Sequence, residues 1–280
     1  MTAGLDWREQ WEGNLYLRFE RAGPRTFLQE KNVTMPLAFQ KVLYPEGPSV
    51  CHGVILHPPG GFAKGDRLNM TIDLEPYAEA VLTTPGAGKF YGSSEGAAQR
   101  VHARIEEGAH LEWIPQETIL FNGAQMGSSL RVDLAERASW MGWDIWRFGR
   151  SGAGENFSRG TWRASTEVWR KGQLLWADRQ ELVGGTSLLH SPFGLRGLPV
   201  LGTFAWIGGV VSDKVLQGCR AVSVAERETG WAVGRVSHGL VARYLGHSTA
   251  DARHRFAEIW GILRSNLRQR PACWPRVWNT

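Results

Sequence analysis

The chain has 280 residues, a net charge of +5 and three cysteines. A chain of this length buries roughly three quarters of its unfolded surface and needs no disulfide staples. No run of 18 apolar residues occurs, which excludes a membrane-spanning helix, and the basic residues are scattered singly among acids, which argues against nucleic-acid binding. Three widely spaced cysteines (Cys51, Cys219, Cys273) and an N-terminus without a basic start and apolar core point to a reducing, cytoplasmic setting.

Period-two alternation dominates the first two thirds. Leu15, Leu17 and Phe19 alternate with polar residues, as do Met70, Ile72 and Leu74, then Val101, Ala103 and Ile105, then Leu130, Val132 and Leu134. Each run predicts a strand with one face on a core. A weak repeat accompanies them: TIDLEPYAEAVLTTP, ARIEEGAHLEWIP and RVDLAERASWMGW align on Ala78, Ala109 and Ala138, about thirty residues apart. Such a period predicts stacked β-layers. Lys171-Gly172 reads as a hairpin turn. Towards the end the spacing becomes helical, with Phe256, Ile259, Trp260, Leu263 and Leu267 forming one stripe. Ser248 with Asp251 offers a cap, Pro271 a stop, and Arg253, Glu258, Arg264 and Arg268 are assigned to the opposite face. Residues 1–280 read as one domain with an amphipathic helix near 250–270.

The motifs that would mark an enzyme are missing or incomplete. Gly88-Lys89 lacks the glycine five positions earlier, where Thr83 stands, and the hydroxyl after the lysine, where Phe90 stands, so no phosphate loop forms. No G-x-S-x-G elbow and no C-x-x-C or H-E-x-x-H metal motif occurs. Cys51 and His57 share a strand face but would lie about 20 Å apart, so a core cysteine and a turn histidine before Pro58-Pro59 are expected. Asp66, Glu117, Asp144 and Glu181 sit in apolar or Gly-rich settings, where an acid is either hydrogen-bonded structure or a functional group. A carbohydrate-active enzyme using a carboxylate pair is the alternative that these acids and the 14 tryptophans keep open.

Several segments resemble one family. LHPPGGFAKGDRL (Leu56 to Leu68), LTTPGAGKFY (Leu82 to Tyr91), LEWIPQETILF (Leu111 to Phe121) and WMGWDIWRFGRSGAGENFSRG (Trp140 to Gly160) are similar, in order, to the UreD (UreH) urease accessory proteins. LYPEG near the start and RPACWPRVWNT at the end extend the likeness. Phe62, Ala63, Lys64 and Gly88 depart from the resembled pattern. The resemblance implies an all-β, β-helix-like body of stacked strands with a short C-terminal helical region. It implies a maturation factor rather than an enzyme, binding the urease apoprotein and a UreF-type protein, through which a UreG-type GTPase joins. No cofactor is expected to be tightly bound; nickel passes in transit to urease. Asp66, Thr83, Thr84, Glu117, Asp144 and Glu181, within or beside the resembling segments, are the candidate oxygen ligands of a wet internal path, each with backbone hydrogen bonding as its competing role. Trp274 and Trp278 are the candidate anchors for the UreF-type partner.

Overall fold

A computed structural model describes residues 10–222 and 230–279. In chain order its elements are β1 (Glu12–Ala22), β2 (Arg25–Val33), β3 (Ala38–Phe39), β4 (Cys51–Leu56), β5 (Arg67–Leu74), β6 (Glu79–Thr83), β7 (Gly88–Phe90), β8 (Ala97–Ile105), β9 (His110–Trp113) and β10 (Thr118–Leu120). There follow β11 (Gln125–Leu134), β12 (Ser139–Phe148), β13 (Thr161–Arg170), β14 (Gln173–Val183), β15 (Val200–Ile207), α1 (Asp213–Arg220), β16 (Gly230–Val236), β17 (Gly239–Gly246) and α2 (Thr249–Leu267).

The strands form two sheets. The first runs β14-β13-β11-β8-β5-β1-β2, and the path of the second runs β16-β17-β15-β12-β9-β6-β4-β3. From β4 to β13 the long strands alternate between the two, and within each sheet the strands of successive layers are parallel: β5, β8, β11 and β13 in the first, β4, β6, β9 and β12 in the second. The expected alternation is the reason. Leu15, Ile72, Ala103 and Val132 point inward from the first sheet and Leu82, Leu111 and Trp140 from the second, filling one core between them.

The three repeat alanines lie where the chain crosses from one sheet to the other. Ala78, Ala109 and Ala138 are fully buried, and their amide N–H groups close tight turns on the carbonyls of Glu75, Glu106 and Ala135. The turns stack, with the amides of His110 and Ser139 donating to the carbonyls of Ala78 and Ala109. The resulting body is mostly strand, as expected, but it is not a closed coil. Both sheets are open, with antiparallel strands β2 and β14 at the edges of the first and an antiparallel run β15-β17-β16 at one end of the second. The β-helix-like expectation therefore needs correcting in its closure.

The second sheet is buried on both faces. Val81, Met141, Trp143, Phe204 and Tyr244 face away from the first sheet and pack under α2, whose Phe256, Ile259, Trp260 and Leu263 are 1% exposed or less. All four residues of β9 are consequently buried, as strands covered on both sides require. Ser248 caps α2 by accepting from the Asp251 amide, as its sequence suggested. The helix α1 was not foreseen. It is eight residues long, capped by Ser212, and too short for a full stripe to show in the sequence. Arg264 needs a second correction: assigned to the outer face, it is 1% exposed, because two carboxylates await it beneath the helix.

Candidate functional site

At the end of the strands where β4, β6 and β9 stop, the two sheets part around a cavity of about 370 Å³. The loop after β4 contributes His57, the loop after β6 Thr84 to Gly86, the loop after β9 Pro115 and Gln116, and β12 contributes Asp144. Phe62, Phe90, Trp113 and Trp146 supply apolar walls, and Lys89 also lines the space.

Two of the six candidate ligands line this space, Thr84 and Asp144. Thr83 and Thr84 are neighbours, and strand alternation sends them to opposite sides. Thr84 lines the cavity, its Oγ1 accepting from the Gln116 amide at 2.9 Å and donating to the Gly86 carbonyl at 3.3 Å. Thr83 Oγ1 donates to the Ile114 carbonyl at 2.7 Å and accepts from Trp278 Nε1 at 2.8 Å, on the helical side. Glu117 also belongs to that side, holding Arg253 at 2.8 Å and Thr249 at 3.2 Å and so tying down the start of α2. Asp66 is buried and accepts from the amides of Trp11 (3.1 Å) and Ala63 (2.8 Å), the competing role foreseen for it. Glu181 lies on the outer face of β14, half exposed and paired with Arg163 at 2.7 Å. An edge strand's outward face meets solvent, so Glu181 is removed from any internal path.

Asp144 has an unusual setting. It lines the large cavity and also a second, water-sized one between the sheets, shared with Thr166, Asp178, Gln180 and Thr203. Burial first, and then the charge of Asp178, push its carboxyl up to about 7, against the pull of a hydrogen bond from Thr166. Asp178 is compensated by Arg243, which grips both its oxygens at 2.7 and 2.8 Å. Of the candidate acids, Asp144 comes nearest to forming a carboxylate pair, and its partner, Asp178, is one that the sequence did not single out. The space that the two acids share is fit for about one water, which no sugar ring could enter.

Among the described residues no group of three or more His, Cys, Asp or Glu side chains is placed to hold a metal. Burial pushes the Cys51 thiol up to about 11 and that of Cys219 to about 12, so neither offers a thiolate at neutral pH. His57 is different. It lines the large cavity, burial holds its imidazole below the ordinary value and therefore neutral, and its Nε2 is enclosed without a hydrogen-bond partner. From its place before Pro58-Pro59, His57 reads only as a turn residue, because nothing in its spacing reports a space between sheets.

The aromatic tail divides in two. Trp278 packs its ring on Trp143 (5.8 Å) and Trp260 (6.4 Å), closing the edge of the second core. Trp274 stands edge-on to Trp278 and is 43% exposed. The sequence treated these two tryptophans alike; only the second is free to meet another molecule.

Comparison with known proteins gives one answer throughout. The family model described as UreD urease accessory protein matches residues 12–279. A urease accessory protein UreD from Nostoc punctiforme is 45% identical over 271 residues, covering 96% of each chain. One from Trichormus variabilis is 45% identical over 274 residues, covering 97% of each, and one from Methylobacillus flagellatus is 42% identical over 273 residues, covering 97% of this chain and 95% of that one.

Proposed function

The chain belongs to the UreD family of urease accessory proteins, and from that premise we propose that it conducts nickel through the cavity between its sheets while holding urease and its other accessory proteins together. It is a urease maturation factor and not an enzyme. The finer reading is a scaffold, working in the cytoplasm, that binds the urease apoprotein and a UreF-type protein, with a UreG-type GTPase joining through the latter.

The observation that carries the nickel reading is the cavity, with oxygen ligands from Thr84 and Asp144 on an otherwise mostly apolar wall. Oxygen ligands hold hydrated nickel briefly, whereas a Cys/His cluster would trap it. A passage must admit an ion and release it, so weak sites are what it requires. Thr83, Glu117 and Asp66 act in this reading as structural groups that fix the cavity's surroundings. Trp274, exposed beside α2, is the anchor offered to the UreF-type partner. Trp278 serves the fold.

The test replaces Thr84 by Val and Asp144 by Ala, singly and together, in cells that make urease and its accessory proteins. Assembly of the complex is expected to survive, while nickel content and urease activity fall. Normal activation by the double variant would end the nickel reading. The carbohydrate-active alternative has no support, since the relatives described above are named as accessory proteins and the space between Asp144 and Asp178 admits about one water.

A further inference from the structure

Nickel differs from magnesium and calcium in its taste for nitrogen: imidazole suits nickel, while the other two take oxygen. A passage walled by oxygen donors alone would not tell them apart. We propose that His57 supplies the imidazole at which a divalent cation pauses inside the cavity, and that this one nitrogen makes the passage selective for nickel over magnesium. The inference rests on the passage reading above and adds a residue and a selectivity to it.

Four observations carry it. His57 lines the cavity. Its Nε2 is shut off from solvent and has no hydrogen-bond partner; in folded proteins nearly every buried polar atom has one, so an unpaired ring nitrogen calls for a water or an ion. The ring is held in place, 4.9 Å from Phe62, which is itself stacked on Phe90 at 3.9 Å, with Pro58 and Pro59 stiffening the chain behind it. Finally, His57 brings the one imidazole to a wall whose other donors are oxygens, from Thr84, Gln99, Gln116, Thr118 and Asp144, and the soft thioethers of Met70 and Met126, which suit copper(I) better than nickel(II). One imidazole with oxygen or water in the remaining positions gives preference without capture. Lys89 also lines this space, and its ammonium, on a flexible four-carbon stem, would have to turn away from a bound cation.

The full chain, together with its UreF-type partner, is labelled with 15N at histidine and titrated with nickel(II) chloride. Paramagnetic nickel is expected to broaden the His57 ring signals at substoichiometric amounts, and magnesium chloride to leave them unchanged. In cells at limiting nickel, His57→Gln is expected to lower the nickel content of urease about tenfold, with recovery as nickel is raised and with complex assembly unaltered. His57→Asn, shorter but still polar, keeps the test informative should the Gln variant fold poorly. Broadening confined to the exposed His190, His247 and His254, an equal response to magnesium, or wild-type activation at limiting nickel by either variant would overturn the inference. If the Thr84 and Asp144 variants lose nickel transfer while His57→Gln keeps it, this inference fails alone. If those variants also transfer normally, the passage reading fails with it.

Discussion

Arg264 on α2 donates through Nε to Glu112 in β9 at 2.9 Å, across 152 positions of sequence, and neither side chain is more than 2% exposed. The same guanidinium holds Glu46 at 2.8 Å, and Glu112 also accepts from Trp260 Nε1 at 2.7 Å, with His110 Nε2 lying 3.3 Å away. Burial alone would raise the Glu112 carboxyl; His110 and Arg264 outweigh it and bring it down to about 2. One buried knot of charge thus fastens the helical layer to the second sheet.

Breaking that knot from one side leaves an uncompensated buried charge, which costs roughly 3–5 kcal/mol. Glu112→Gln and Arg264→Met are each expected to lower the urea midpoint of unfolding accordingly. A loss below about 1 kcal/mol would mean that the pair is not the fastening described.

The Glu112 carboxyl also sets an acid limit. Its folded value lies below the ordinary one, so the stability it contributes is present above pH 4.5 and is lost as the pH falls towards 2. Stability measured from pH 6 down to pH 3 is expected to decline less steeply in Glu112→Gln than in the parent.

Asp144 works in the opposite direction. Its folded value is raised from 3.8 to about 7. Below pH 3.8 both folded and unfolded forms are protonated and nothing is lost; as the pH climbs to 7 the unfolded chain ionises first, and the folded state loses at most about 4 kcal/mol. Asp144→Asn is therefore expected to be more stable than the parent at pH 8 and indistinguishable from it near pH 3.5. Equal stability at both pH values would show that the carboxylate is not buried as described.

Asp66 is expected to behave as a structural acid. Asp66→Ala leaves the amides of Trp11 and Ala63 without their acceptor, at about 1–3 kcal/mol for the buried groups. Its thermal midpoint is expected to fall, while nickel transfer by the folded protein stays at the parent level. A stable Asp66→Ala with impaired transfer would return Asp66 to the path.

The two tail tryptophans are separable by the same logic. Trp278→Ala removes a ring from Trp143 and the indole donor to Thr83, and is expected to cost about 2 kcal/mol, less than for a fully buried Trp. Trp274→Ala is expected to leave the melting temperature unchanged and weaken capture of the UreF-type protein in a pull-down.

The strands and the final helix could be read from the sequence because their signals are local. Alternation from Met70 to Leu74, or helical spacing from Phe256 to Leu267, is visible within a few residues. What could not be read depends on which chain segments meet. Thr83 and Thr84 look equivalent until β6 is covered on both faces; then one serves the tail and the other the cavity. Arg264 looks like a solvent-facing arginine until Glu46 and Glu112 arrive beneath it. Glu181 looks like Asp144 until the strand order puts it on the outer face of an edge strand. His57 and Glu112 gave no signal of their own, since a single histidine or acid has no period.

The knot between Glu46, Glu112 and Arg264 joins residues 218 positions apart at its widest. During synthesis, the apolar outer face of the second sheet, with Val81, Met141 and Trp143, leaves the ribosome long before the helix that covers it. That face stays uncovered until α2 has emerged, and long-range closure of this kind is slow. A chain cut before α2 would keep that surface uncovered and is expected to aggregate, which light scattering of a truncated form beside the full chain would show.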